Sequence, residues 1–168
     1  MIVIIGPPGS GKTTLAKFLK DHLVYTAHVS LDNVKHFISE FREVSSHNIV
    51  SRKVINVMTD EYFKNGINII ADQNMTSDEV ENLKKIADKY NADFFIYRVE
   101  AHPDIREKRI LERTQKSNKP MMSKETMEKL LKRYEKNTYV GNIVLDSEKF
   151  STEEMANLIL NDLKVLEY

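Results

Sequence analysis

The residues best placed for chemistry stand at the start of the chain. Gly6-Pro7-Pro8-Gly9-Ser10-Gly11-Lys12-Thr13 spells G-x-x-x-x-G-K-[ST], a pattern whose parts have separate physical jobs. Gly6, Gly9 and Gly11 let successive backbone N–H groups turn inward around phosphate oxygens. A helix opening near Gly11 adds the positive end of its dipole. Lys12 can reach the β- and γ-phosphates of a nucleotide, and the Thr13 hydroxyl can ligate magnesium. The context agrees with the spelling, because the apolar run 1–5 leads into the loop as a strand would.

Further candidates follow later apolar runs. Asp32 comes just after the run 25–29 and could orient an acceptor hydroxyl and take its proton; alternatively it caps the helix running toward Phe37. Asp72 ends the run 67–71, where an acid can serve the magnesium side directly or through water; strands also end in Asp for turn reasons. Asn74 is a candidate acceptor contact, with strand-end solvation as the plain alternative. Arg106, Arg109 and Arg113 lie on one expected helix, and Arg109 and Arg113 share a face. One guanidinium could stack on a base while the other pairs with phosphate oxygens. Residues 105–136 hold eleven basic and five acidic side chains. A solvated surface helix explains such a run, but its place before a proline-bearing polar loop favours a mobile lid over the phosphates, residues 106–123. Tyr134 and Tyr139 beside Lys132 and Arg133 could stack on a base or belong to the core.

These groups need a scaffold that gathers them. Five apolar runs, 1–5, 25–29, 67–71, 93–99 and 142–145, read as parallel strands buried on both faces. The segments between them carry 3.6-residue periodicity: Leu15, Phe18, Leu19 and Leu23, then Leu83, Ile86, Ala87 and Tyr90. Ser77 reads as a helix start, and Ser151-Thr152-Glu153-Glu154 as a capping box opening a last helix with Met155, Leu158, Ile159 and Leu163. Residues 115–123 read as a loop between two helices. The stretch 37–63, with Arg42, His47, Arg52 and Lys53, is expected to form substrate-side helices. The fold class is therefore α/β, a three-layer α/β/α sandwich around a five-stranded parallel sheet. In such sheets ligands sit beyond the carboxyl ends of the strands, where Lys12, Asp32 and Asp72 all fall.

Composition narrows the classes. The chain has 168 residues, 41% hydrophobic and 30% charged, which suits one globular domain over 1–168. It has no cysteine, so disulfides and thiolate metal sites are excluded and a reducing, cytoplasmic setting is expected. No segment reads as a signal peptide or a membrane span. Lys plus Arg and Asp plus Glu both number 25, which disfavours a broad non-specific grip on nucleic acid. The five histidines are scattered without metal-ligand spacing.

Taken together, these residues resemble the P-loop kinase group that contains polynucleotide 5′-hydroxyl kinases, zeta-type toxins and gluconate kinases, with the general plan of adenylate kinase. The likeness runs nearly end to end. Residues 6–14, including Ser10 and Thr14, match the ATP-phosphate loop. Ser30-Leu31-Asp32 matches the group's catalytic aspartate, followed by Lys35 where a substrate-binding Arg or Lys is common. Ile69-Ile70-Ala71-Asp72-Gln73-Asn74-Met75 is similar to the polynucleotide-kinase segment of apolar residues followed by Asp, Thr and Asn, with Gln73 departing from it. Arg109-Ile110-Leu111-Glu112-Arg113, the polar loop and the helix ending at Tyr134-Glu135 look like the group's lid, without the second arginine cluster of some relatives; 142–147 looks like the last strand and adenine-side loop.

The resemblance implies Mg-ATP-dependent transfer of the γ-phosphate to a hydroxyl of a small molecule or a nucleic-acid 5′ end, by a monomer or homodimer. Lys12, Asp32 and Arg113 would be catalytic. Gly6, Gly9, Ser10, Gly11, Lys12, Thr13, Thr14, Arg109 and Arg113 would hold ATP. Thr13 and Asp72 would serve Mg2+, and Asp32, Lys35 and Asn74 the acceptor. A regulatory ATPase or switch is the other class the loop permits.

Overall fold

The computed structural model describes residues 1–39, 46–117, 123–136, 139 and 141–164. The five apolar runs become five strands: β1 (Ile2–Ile5), β2 (Thr26–Ser30), β3 (Asn68–Asp72), β4 (Phe95–Glu100) and β5 (Ile143–Asp146). They form one all-parallel sheet in the order β2-β3-β1-β4-β5. The helices are α1 (Lys12–His22), α2 (Leu31–Lys35), α3 (Ser46–Lys64), α4 (Ser77–Lys89), α5 (Pro103–Ser117), α6 (Lys124–Glu135) and α7 (Thr152–Lys164).

The pleat divides the core in two. Odd-numbered β1 residues Val3 and Ile5 join Val29, Ile69, Ala71, Ile55, Val80 and Leu83 on the α3/α4 side. Even-numbered Ile2 and Ile4 join Ile70, Tyr97, Leu15, Leu19, Met155 and Ile159 on the α1/α7 side. β1 is central, so both of its faces are covered and it must be apolar throughout. Each fully buried Leu or Ile contributes about 1.5–3 kcal/mol, which makes this β1 double face the main support of the site above it. The expected three layers are present, and no described helix is long and apolar enough to cross a membrane.

Helix starts follow the side-chain chemistry. Ser151 Oγ accepts from the Glu154 N–H at 3.2 Å while Glu154 accepts from the Ser151 N–H at 2.8 Å, the expected box. For α4 the cap is Thr76, one residue before the expected Ser77, and its N–H donates to Glu79 Oε2 at 2.9 Å. Two other expectations change. Leu158 is 38% exposed, because it lies off the stripe set by Met155 and Ile159. α5 continues through Ser117, so 115–117 are helical rather than loop; residues 118–122 lie outside the described residues. Arg42 also lies outside them, as does the side chain of His47.

Candidate active site

The loop after β1 is held from both sides. Gly6 has φ +154°, and a Cβ there would lie 2.2 Å from the Val99 carbonyl oxygen of β4. Gly9 has φ +80°, and a Cβ would lie 2.6 Å from the Arg106 carbonyl oxygen in α5. Only glycine fits where β4 and the first turn of α5 close on the loop. Gly11 precedes α1 with φ +102°. Ser10 is fully buried, and its hydroxyl has no hydrogen-bond partner among the described residues. Lys12 Nζ donates to the Pro7 carbonyl at 2.7 Å, tying the head of the helix back over the loop. Burial brings the Lys12 pKa down to about 8, against Asp72, Asp32 and Glu100, which hold it up; Arg106 adds to the lowering. A desolvated ammonium with spare donors suits an incoming polyanion, and so does an idle buried hydroxyl. The loop residues therefore fit a nucleotide's phosphates.

The second element is a chain of three side chains. Asp72 ends β3 on the even face, the face that α1 covers, because Ile4 pairs with Asp72 and Ile70 lies two residues earlier. It thus meets the first turn of α1: Thr13 Oγ1 donates to Asp72 Oδ2 at 2.5 Å. The β2–β3 register sets His28 opposite Ile70, so His28 shares that face one pleat away. Its Nε2 meets Asp72 Oδ1 at 2.5 Å, and both side chains are buried. His28 is the partner that sequence spacing missed. Among the described residues no three His, Cys, Asp or Glu side chains converge as a ready-made metal cage. A hydroxyl beside a buried carboxylate, next to a phosphate loop, is instead the sparse donor set that suits Mg2+, which keeps waters and takes phosphate oxygens.

Asp32 lies inside the first turn of α2, and Ser30 holds the cap position, so Asp32 is not the cap. Its carboxylate is 82% exposed and 3.9 Å from the half-buried Lys35 ammonium. It shares the strand-end edge with Lys12, whose charge it helps to sustain. Asn74 is less available than expected: its amide donates to the Leu130 carbonyl of α6 at 2.6 Å, and its own carbonyl accepts from Arg133 Nε at 3.2 Å. Its Oδ1 is buried without a partner among the described residues. Beyond it, Arg52 from α3 and Arg133 from α6 both bind the Glu79 carboxylate. A cavity of about 210 Å³ opens there, lined by Arg52, Lys53, Gln73 and Glu79 among others.

The arginines of α5 separate along its axis. Arg106 lies against the loop and donates Nε to the Ala101 carbonyl at 3.1 Å. Arg109 forks onto the loop after β5, donating to Ser147 Oγ at 2.8 Å and to the Ser147 carbonyl at 2.9 Å. Arg113 is exposed, roughly 10 Å beyond Arg106 at 1.5 Å per residue. Thr14 is exposed on α1. Tyr134 donates its hydroxyl to Glu100 at 2.5 Å, with Arg98 over its ring, and burial raises its pKa. Tyr139 donates to Glu81 at 2.7 Å and packs on the core.

Residues 1–137 match the AAA domain family AAA_33. The chain belongs to that family. No curated protein matches the sequence. This AAA domain has the fold of several solved kinases. A sugar kinase from a Janibacter species superimposes with TM-score 0.71 at 16% identity, covering 98% of this chain and 94% of the other. A gluconokinase from Sinorhizobium meliloti gives 0.69 at 15%, covering 98% and 91%. The APS kinase of Mycobacterium tuberculosis, solved with AMPPNP and APS, gives 0.67 at 14%, covering 97% and 96%.

Proposed function

We propose that this AAA domain is an ATP-dependent kinase that transfers the γ-phosphoryl group to an alcohol. One observation carries the reading. The loop after β1, Asp72 at the end of β3 and Asp32 just after β2 lie at the carboxyl ends of three neighbouring parallel strands, and Thr13 beside the loop contacts Asp72 at 2.5 Å. The kinase fold of the matched structures supports it.

In this reading the loop N–H groups and Lys12 hold the β- and γ-phosphates and offset charge that develops during transfer. Thr13 and Asp72 would hold magnesium, which when bound would supply charge to offset that of the phosphates. His28 fixes the Asp72 carboxylate so that its other oxygen faces Thr13. Asp32 accepts the proton of the attacking hydroxyl, with the Lys35 ammonium 3.9 Å from its carboxylate. Arg109, already bound to Ser147, forms the adenine side. Residues 106–123 act as the lid, and its closure brings Arg113 toward the transferred group.

A screen of alcohols with γ-labelled ATP tests this reading. Acceptor-dependent label in a phosphate ester supports it. Hydrolysis that no alcohol stimulates would replace it with the regulatory ATPase class.

A further inference from the structure

The most unusual charge arrangement lies outside the phosphate loop, on the acceptor side of Asp32. Three cations from three separate helices converge there: Lys35 of α2, Arg52 of α3 and Arg133 of α6. The Lys35 pKa is lowered, first by burial and then by repulsion from Arg52 and Arg133, while Asp32 and Glu79 oppose the lowering. Burial likewise lowers that of Arg52, with Arg133 adding to it. Holding like charges together costs free energy unless an anion is shared among them. Among the described residues the anions beside them are Glu79, which binds both arginines and also caps α4 through the Thr76 N–H, and the exposed Asp32 carboxylate, 3.9 Å from Lys35. Two carboxylates, one of them 82% exposed, leave three cations with an excess of positive charge among the described residues.

The positive field continues outward from Arg133. A second cavity of about 230 Å³ is lined, among the described residues, by Thr76, Lys129, Lys132, Arg133 and Lys136, none of them acidic. Glu125 pairs with Lys129 at 2.7 Å, but Lys132 and Lys136 are exposed. In a chain of zero formal net charge this is a local concentration, not a general basic character. Arg133 belongs to both features: it binds Glu79, its Nε reaches the Asn74 carbonyl, and it faces the lysine-lined cavity. Arginine forks match the paired oxygens of phosphate, and the lysines act as point charges beside them.

We propose that the acceptor alcohol is itself a phosphorylated anion, with its oxyanion held by Lys35, Arg52 and Arg133 in exchange for part of their contact with Glu79. The inference rests on the kinase reading only for the word acceptor; the anion site stands or falls separately. Asp32 then addresses the hydroxyl while the neighbouring cluster addresses the existing phosphate. The two demands are compatible, because the Lys35 ammonium is 3.9 Å from the Asp32 carboxylate and also feels the charge of both arginines.

The direct test uses inorganic sulfate as the probe and the full chain saturated with Mg-AMPPNP, so that the phosphate loop is already filled. With nitrogen-labelled arginine, sulfate should shift the Nε–H signals of Arg52 and Arg133 saturably at millimolar concentration. Arg52→Gln should abolish the response. Lys132→Gln with Lys136→Gln, both at exposed positions that cannot disturb the core, should weaken it severalfold. No saturable shift, or an unchanged affinity in both sets of variants, would overturn the proposal.

A second arm compares matched acceptors, each neutral alcohol beside its phosphorylated form. The phosphorylated member should be the better substrate by at least about tenfold in kcat/KM, the scale of one charge-assisted hydrogen bond. Arg133→Gln should erase that preference. Should neutral alcohols be phosphorylated equally well with sulfate inert, this inference fails and the kinase reading survives. Should sulfate saturate the arginines while no alcohol is phosphorylated, the anion site stands and the kinase reading fails. A mononucleotide 3′-phosphate and a 5′-hydroxyl oligonucleotide separate a single oxyanion from an extended phosphate chain, since only the latter should depend strongly on Lys132 and Lys136.

Discussion

Thr13 donates its hydroxyl to Asp72 across 2.5 Å, although 59 residues separate them in sequence. The contact exists because β1 and β3 are adjacent and in register, and the pleat turns Asp72 toward α1. It joins the phosphate loop to the end of the neighbouring strand before any ligand arrives. Asp72→Asn keeps the shape of the side chain and removes its charge. Transfer should fall by about a hundredfold, and the magnesium dependence of the initial rate should move to higher concentration. Both are read from initial rates over a magnesium titration. An unchanged magnesium curve would remove Asp72 from the metal side.

In the proposed mechanism His28 would act through Asp72, which its ring nitrogen meets at 2.5 Å. His28→Ala should leave a buried carboxylate oxygen without its partner, costing about 1–3 kcal/mol in stability and roughly 10–100-fold in apparent magnesium affinity. His28→Gln, which can still donate, should restore most of the magnesium affinity. Equal loss of stability in both variants, with normal magnesium dependence, would make His28 a structural residue only.

Lys12 gives a pH signature. Its pKa in the folded protein is lowered to about 8 from 10.5, so between these values the unfolded chain binds more protons. Stability therefore rises with pH through this window, and below pH 8 the full cost of burying the charge, roughly 3 kcal/mol, is present. Lys12→Met should raise the melting temperature of the nucleotide-free protein at pH 7 while abolishing stabilisation by Mg-AMPPNP. In the wild type, phosphates should raise the Lys12 pKa again, so nucleotide binding at pH 9 should take up a proton. Calorimetry in buffers of different ionisation enthalpy measures that uptake.

Gly9 tests the seam between loop and α5. Gly9→Ala would place a methyl against the Arg106 carbonyl at a left-handed φ. The variant should lose about 1–3 kcal/mol of stability and most of its nucleotide affinity, measured by thermal shift with and without Mg-AMPPNP. Gly11→Ala, whose Cβ would meet nothing within 4 Å, should lose less.

Much of this could be read from the chain alone, for local reasons. A phosphate loop is contiguous, and each strand of a buried parallel sheet is a short apolar run, so the five strands fall within one or two residues of those runs. The strand-end positions of Asp32 and Asp72 were legible because they follow such runs. His28 was not, since its partner depends on the β2–β3 register, which no spacing reveals. Glu79 reads as one more acid in the first turn of a helix, yet it collects arginines from two other helices. Arg109 and Arg113 share a helix face, but Arg109 is taken by Ser147, and it is Arg106 that touches the loop.

Asp32→Asn decides the central claim most directly. Label transfer from γ-labelled ATP to an alcohol is measured beside Mg-AMPPNP affinity in the wild type and the variant. The account predicts near-normal nucleotide affinity and a fall in transfer of about 10²–10⁴-fold. Undiminished transfer in Asp32→Asn would contradict it.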